Sequence, residues 1–392
     1  MHREAAIVGV GQSEFSRKSS FTAWDLALQA VLMALDDAGV EASEVDGLIR
    51  YDAPNELVPQ GLLVRSLGIR ELRWISNAPY GGEATGAVIS HAAAAIAARQ
   101  ANVVVVYRSL SQSTSGRMGR ADDRYGAQNQ VFAAGDRTPG GEFSAPYGLL
   151  SPGQVFALWA SRYKYENGIS DNDFTKALGT LAVQQRQYAH SNPAAIMRDR
   201  PLTWDDYSAA RIINWPLRLF DLCIENDGAC AVVLVSADRA RSLRDDPVYV
   251  LSATQSLSPL SEPIATYKRD LTEFVVPAAC ERLYADARVA PSDVDVAELY
   301  DATSFMALKS IETWGFSKRG HAWHHLIEHG TGLDSPIPVN THGGHLSEAY
   351  IHGMNGITEA VRQLRGTAAN QVKNAEVAVV AAPFGSAVIL GR

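Results

Sequence analysis

Seven histidines crowd the stretch from His321 to His352. Imidazoles grouped in this way can bind a metal or carry protons near neutral pH. Within HAWHHLIEH, His321, His325 and His329 recur every fourth residue, on one face of a helix. Zinc ligands can be spaced like this, but a solvated or capping helix face explains the pattern as well and is preferred. His345 and His352 flank Tyr350, which follows the turn Gly343-Gly344. A phenol there is either a proton carrier or a core aromatic. The three cysteines, Cys223, Cys230 and Cys280, have neither metal-ligand nor disulfide spacing and read as structural thiols. Arg117, Arg120 and Arg124 sit in the Gly-punctuated run SGRMGRADDRYG. They could hold phosphates, although an exposed loop has the same composition. Gly9 and Gly11 lack the third glycine of a dinucleotide fingerprint.

A second feature is an internal repeat. Asp37 to Ala53 (DAGVEASEVDGLIRYDA) and Asp286 to Ala302 (DARVAPSDVDVAELYDA) agree at 9 of 17 positions. Each copy reads as a helix end, a turn and a strand that finishes in Tyr-Asp-Ala. A unit this long implies two similar half-molecules rather than an array. Tyr51 and Tyr300 are therefore counterparts, and each is open to a structural reading as an inherited plug.

The elements that must position these residues follow a common plan. In the first half, Ala5 to Val10 is a buried strand and Thr22 to Ala38 a helix ended by Gly39. Gly81 to Ala98 reads as a Gly-rich turn and small-residue helix, followed by a strand at Val103 to Val106. The second half matches with Val248 to Ala253, a helix over Leu271 to Ala287, a strand at Val294 to Tyr300, a turn and helix over Gly343 to Leu364, and Val377 to Ala382. Alternating helices and continuously apolar strands predict a layered α/β fold with buried sheets. From Tyr107 to about Trp215 the pattern breaks. Helices at Pro152 to Asn167 and Asp171 to His190 suggest a large insertion of the kind that forms lids or ligand loops.

Composition excludes several classes. The chain has 392 residues, 46% apolar and 20% charged, with a net charge of −8. No basic run suggests nucleic acid, and no apolar stretch reaches the roughly 20 residues of a membrane span. The opening MHREAAIVGVGQSEF enters a strand rather than a signal peptide. A cytoplasmic, reduced protein is expected.

Taken together, SPGQVFALWASRYKYENGIS (Ser151 to Ser170) and HSNPAAIMRDRPLTWDDYSAARIINWPLRLFDLCIENDGACAVVLVS (His190 to Ser236) resemble the lipid-transfer, sterol-carrier-protein-X-like branch of the thiolase superfamily. The groups Asn192-Pro193, Pro216-Leu217 and Asp227-Gly228-Ala229 carry the resemblance. It implies the thiolase fold: two similar halves, 1–245 and 246–392, in an αβαβα arrangement. An inserted loop region falls at about 107–215, and the first halves pair to make a dimer.

The same resemblance locates a site and shows what it lacks. The family's first cysteine falls within Asn77-Ala78-Pro79-Tyr80-Gly81-Gly82-Glu83, and its Cys-x-Gly falls on Pro383-Phe384-Gly385. Neither stretch holds a cysteine. The family histidine position is Tyr350, and the active-site loop is Tyr300-Asp301-Ala302-Thr303-Ser304-Phe305. Claisen chemistry needs a thiolate to carry the acyl group, so acyl transfer is not expected. The remaining pocket would cradle a CoA thioester, with the Gly385 N–H as an oxyanion donor. Tyr300 and Tyr350 would move protons, with His345, His352 and Asp301 in support. A phenol titrates near 10 and needs such help to act as a base.

Tyr300 together with Tyr350 in GGHLSEAYIHG resembles the actinobacterial steroid side-chain aldolases. That implies retro-aldol cleavage of a 17-hydroxy steroid CoA ester to a 17-ketosteroid and propionyl-CoA, with no cofactor beyond the CoA of the substrate. It also implies a hydratase-borne OB-fold acyl-CoA-associated domain, bound in a heterotetramer around a homodimer. Two alternatives stand: a non-catalytic lipid or acyl-CoA carrier, and another acyl-CoA reaction run in the same pocket.

Overall fold

The computed structural model describes residues 3–51, 58–78, 84–115, 147–149, 151–256, 277–383 and 385–392. The first half contributes β1 (Ala5–Gln12), β2 (Gly47–Tyr51), β3 (Trp74–Ala78) and β4 (Val103–Ser111). After the insertion, with its small hairpin β5 (Ile212–Asn214) and β6 (Leu217–Arg218), comes β7 (Asp227–Ser236). The second half supplies β8 (Val248–Gln255), β9 (Val296–Leu299), β10 (Val377–Ala381) and β11 (Ser386–Gly391). Nine strands run in the order β3-β2-β4-β7-β1-β8-β11-β10-β9.

That order reads alike from either end. In the first half β2 runs parallel to β4, β4 antiparallel to β7, and β7 antiparallel to β1. In the second half β9, β10, β11 and β8 repeat those relations. The halves meet where β1 and β8 pair. A parallel bridge from Ala297 to Val339 stands where β3 lies in the first half.

The sequence repeat is also a structural one. Gly39 and its counterpart Arg288 both adopt left-handed backbone after a helix, and a 3-10 turn follows in each copy. Asp46 accepts the backbone N–H groups of Asn102 and Val103 at the start of β4. Asp295 does the same for Glu376 and Val377 at the start of β10. Each aspartate thus satisfies strand-end donors that the ladder leaves unpaired.

Successive residues of each buried strand serve different cores, because side chains alternate across a sheet. On β4, Val104 and Val106 face a central core that also holds Val380 and Val388, while Val103 and Val105 face an outer one. The central layer is α3 (Thr85–Ala97) and, later in the chain, Met354–Arg365, each packed on strands of both halves. The outer layer of the first half is α1 (Ala23–Ala38) with α2 (Gln60–Leu67). α1 starts with a capping box between Thr22 and Asp25, which satisfies donors at the helix start. Gly9 and Gly11 let it approach β1 closely, since a Cβ on either would run into the carbonyls of Ala34 and Ala30. The second half is covered by α4 (Pro152–Glu166), α5 (Asp171–Ser191), α6 (Pro277–Ala287) and α7 (Ser304–Thr313). The result is the αβαβα arrangement expected from the resemblance. The helices of the insertion follow a first-half strand in sequence, yet pack on the second half.

Two expectations need correction. β4 does not stop at Val106. It pairs with β7 as far as Ser111, so Tyr107, Arg108 and Ser109 belong to the sheet. The polar side chains masked a strand that its ladder defines. The segment 343–364 is not one helix either. It forms α9 (Gly344–Ser347) and α10 (Met354–Arg365), after α8 (Ala322–His329). Between α9 and α10 the chain turns at His352 and Gly353, both with positive φ, and Tyr350 lies in that break. Its N–H donates to Asn226 Oδ1 at 2.6 Å rather than to a helical carbonyl. Residues 79–83 and 271–276, where two predicted helices begin, lie outside the described residues.

Candidate active site

Tyr300 directly follows β9, and its N–H continues the ladder to the Ala381 carbonyl at 2.9 Å. Its hydroxyl is 2.6 Å from that of Tyr350. The two phenols pack with Ala302 and Ala382, and Phe156 and Cys223 close the cluster. Exposures of 5% and 8% leave each tyrosine only a narrow contact with solvent. Tyr300, Asp301, His345, Glu298, His342 and Thr85 line a cavity beside them. Tyr51, the repeat counterpart of Tyr300, is fully buried, with its ring 5.9 Å from that of His352.

Asp301 fastens the site. Its carboxylate accepts the backbone N–H groups of His345 at 2.9 Å and Leu346 at 3.4 Å, at the start of α9. Gly344 makes this approach possible, because a Cβ there would strike the carboxylate. The Asp301 carboxyl also lies 3.0 Å from His345 Nδ1. The His345 ring stands edge-on to both tyrosines, with centroids 5.0 Å and 5.1 Å away. The His352 ring lies 4.6 Å from that of Tyr350.

Burial dominates the electrostatics. It pushes Asp301 up to about 7, against the pull of the His345 N–H and His342. It draws His345 down to about 3, helped by His342. His352 is held well below the ordinary imidazole value by burial, Arg108 and His345. Tyr350 is pushed well above the ordinary phenol value by burial, then by Tyr300 and Cys223. Tyr350 is therefore a neutral phenol at rest, and its imidazole neighbours are neutral too. They do not turn it into a standing base; paired hydroxyls of this kind can instead pass a proton along.

Beneath the pair lies a polar core. Glu298 shares the strand face of Tyr300 and lies 2.8 Å from His342 Nδ1. Glu348 lies 3.7 Å from His342 Nε2. Burial disfavours charge on His342, but Glu348 and Glu298 outweigh it and raise the imidazole to about 10. Thr341 bridges Glu298 and Glu359 at 2.9 Å and 2.8 Å.

The other sequence candidates fall as follows. Gly385 has a φ of +105° and directly precedes β11, and its carbonyl accepts the Ser256 N–H at 2.6 Å. Arg117, Arg120 and Arg124 lie outside the described residues. His321 stands at the N-cap position of α8 without a side-chain capping bond, and the rings of His325 and His329 are 4.9 Å apart. Among the described residues, no group of three or more His, Cys, Asp or Glu side chains is arranged to hold a metal.

Cys223, expected as a structural thiol, packs on the tyrosine pair, its N–H bonded to the Ala302 carbonyl at 3.0 Å. Burial first, then Asp301 and Glu225, push its thiol far above the ordinary range, so it is no nucleophile. Sequence reasoning missed Phe156, Asn226 and Arg108 as well. Asn226 is fully buried, and its Nδ2 makes no hydrogen bond within the described residues. Only the Asp-Gly-Ala group beside it hinted at importance.

Residues 260–388 match the Thiolase C-terminal domain-like family. The chain is 39% identical over 395 residues to the 17-hydroxy-3-oxo-4-pregnene-20-carboxyl-CoA lyase of Mycobacterium tuberculosis, covering 99% of each chain. It is 38% identical to the steroid side-chain-cleaving aldolase of Thermomonospora curvata, over 99% of this chain and 97% of that one. The solved Ltp2-ChsH2(DUF35) aldolase superposes with a TM-score of 0.87 at 36% identity, over 100% of this chain and 98% of that one. The chain therefore belongs to the thiolase superfamily, among the steroid side-chain-cleaving aldolases.

Proposed function

We propose that this protein cleaves a β-hydroxyacyl-CoA thioester on a steroid ring system by a retro-aldol reaction, giving a 17-ketosteroid and propionyl-CoA. The observation that carries this reading is the 2.6 Å contact between the hydroxyls of Tyr300 and Tyr350. The reaction moves one hydrogen from the β-hydroxyl oxygen to the carbon next to the thioester. As the β-hydroxyl loses its proton to one phenol, that phenol passes its own hydrogen to the other, whose hydrogen is moving to the carbon, and the carbon–carbon bond breaks. The ketone forms, and the bonding electrons pass into the thioester enolate. The other phenol protonates that carbon, and the hydrogen passed between the hydroxyls leaves both tyrosines restored. No net proton enters or leaves, which suits phenols that are neutral at rest.

The enolate oxygen needs donors that do not have to reorganise. We assign this role to the Gly385 N–H, with His345 and Asn226 Nδ2, which makes no hydrogen bond within the described residues, as further donors. Asp301 and His352 position the tyrosine site, and Arg117, Arg120 and Arg124 are our candidates for the CoA phosphates. No acyl-cysteine forms, and the chemistry draws on no cofactor beyond the CoA of the substrate. The likeness to the Ltp2-ChsH2(DUF35) aldolase supports an OB-fold DUF35 partner, joined to a homodimer of this chain in a heterotetramer. A cytoplasmic setting suits a chain whose three cysteines are all free.

The test is co-expression with a small DUF35 protein and assay on a panel of β-hydroxyacyl-CoA esters. Mass spectrometry should detect a ketosteroid and propionyl-CoA in equal amounts. Tight ester binding with no cleavage of any panel member would instead identify a carrier.

A further inference from the structure

Arg108 is an unexpected residue for the interior of a sheet. It lies on β4, on the same face as Val104 and Val106, and is 1% exposed. An apolar side chain there would extend the central core, and burying a guanidinium instead is costly unless its hydrogen bonds are met. They are directed at particular atoms. Nε donates to His352 Nδ1 at 2.9 Å, and Nη1 donates to the Ser109 carbonyl at 2.9 Å. The guanidinium carbon sits 5.8 Å over the Tyr51 ring. His352 is itself fixed, with a φ of +53° and its carbonyl accepting the Thr85 hydroxyl at 2.9 Å. An Nδ1 that accepts a hydrogen bond carries no hydrogen, so the neutral ring must carry its hydrogen on Nε2. That ring stands against Tyr350 at 80°.

We propose that Arg108 and His352 are a positioning pair for the tyrosine site. Arg108 locks His352 as the Nε2–H tautomer, and together they offset the negative charge that develops on the phenols while a proton is in transit. The inference rests on the aldolase reading above, and it gives the first half of the chain a part in a site whose two tyrosines both come from the second. Among the described residues, the groups that act most strongly on Tyr350 and His352 besides Arg108 are Tyr300, Cys223, Tyr51 and His345, and Asp301 and His342 line the cavity beside Tyr300. None of the four carries a standing positive charge in place of Arg108, since burial and His342 keep His345 neutral.

Two measurements test it on the full chain with its partner. Nitrogen-15 NMR of histidine-labelled wild-type protein should show His352 hydrogen-bearing at Nε2 and bare at Nδ1. Finding the hydrogen on Nδ1 overturns the pairing without any variant. In the cleavage assay, R108Q can still donate to Nδ1 but carries no charge. Its kcat per folded active site should fall about a hundredfold, with KM for the CoA ester within about twofold of wild type. R108K, which restores the charge, should recover to within about tenfold. Wild-type kcat in R108Q, or equal loss in R108K and R108Q, overturns the charge role. The aldolase reading fails separately. If wild-type protein cleaves no ester, that reading is lost, while the His352 tautomer is still decided by its own resonances.

Discussion

The hydroxyls of Tyr300 and Tyr350 meet at 2.6 Å although 50 residues separate them in sequence. One tyrosine leaves the end of a strand and the other sits in the break between two helices. Asp301, the next residue after Tyr300, ties the two segments together by accepting the N–H groups of His345 and Leu346. The contact is thus a product of the surrounding hydrogen bonds, and its removal should be felt in chemistry before it is felt in stability.

Tyr300→Phe and Tyr350→Phe each remove one hydroxyl and keep the ring. Each should lower kcat by about a hundredfold or more, the usual scale of a lost acid or base, while calorimetric affinity for the CoA ester stays near wild type. Unchanged turnover in both variants would refute the proton shuttle.

Turnover in heavy water gives a second readout. Propionyl-CoA from the cleavage should carry a single deuterium on the carbon next to the thioester, because the enolate is protonated once from exchangeable hydroxyls. Proton NMR of the isolated product checks this. A product free of deuterium would rule out protonation by the phenols.

Cys223 touches the tyrosine cluster, but its thiol is held protonated by burial, Asp301 and Glu225. Cys223→Ala should keep turnover within about threefold of wild type, since only packing is lost. A trapped acyl-enzyme on Cys223, or loss of activity comparable with that of the tyrosine variants, would restore a covalent mechanism.

Asp301 carries a pH signature. Its folded value of about 7 lies above the ordinary carboxylate value of about 3.9. Stability from this group is therefore complete below about pH 4 and is lost as pH rises through about 7. Asp301→Asn mimics the protonated acid at every pH. The stability of wild type minus that of the variant should thus fall between about pH 5 and pH 8, by as much as about 3 kcal/mol. Urea melts at both values measure it, and a difference that is flat or rises with pH contradicts the assignment.

His342 is the counterion of a buried acidic core, 2.8 Å from Glu298 and 3.7 Å from Glu348. His342→Ala leaves those carboxylates without it and should cost about 3–5 kcal/mol. A thermal or urea melt showing a loss under about 1 kcal/mol would mean that the core is neutral.

Much of the architecture was legible along the chain. Periodic apolar runs and the Asp37 to Ala53 repeat were enough for two matching halves, because strand burial and the aspartate strand caps are local chemistry written in order along the chain. Tyr300 and Tyr350 stood at recognisable positions, and the lack of a cysteine in 77–83 and 383–385 argued against acyl transfer. Tertiary structure alone decided the rest. Arg108 looked like part of an insertion until its ladder with β7 placed it in the sheet. Cys223 read only as a structural thiol, and a backbone bond to Ala302 carries it to the phenols. Phe156 reaches the site from the insertion, whose helices pack on the half that follows rather than the half they interrupt. The ionisation states are decided in the same way, because desolvation depends on what surrounds a group in three dimensions. Neighbours such as His352 and Arg108 are 244 positions apart in the chain, and no local pattern records their meeting.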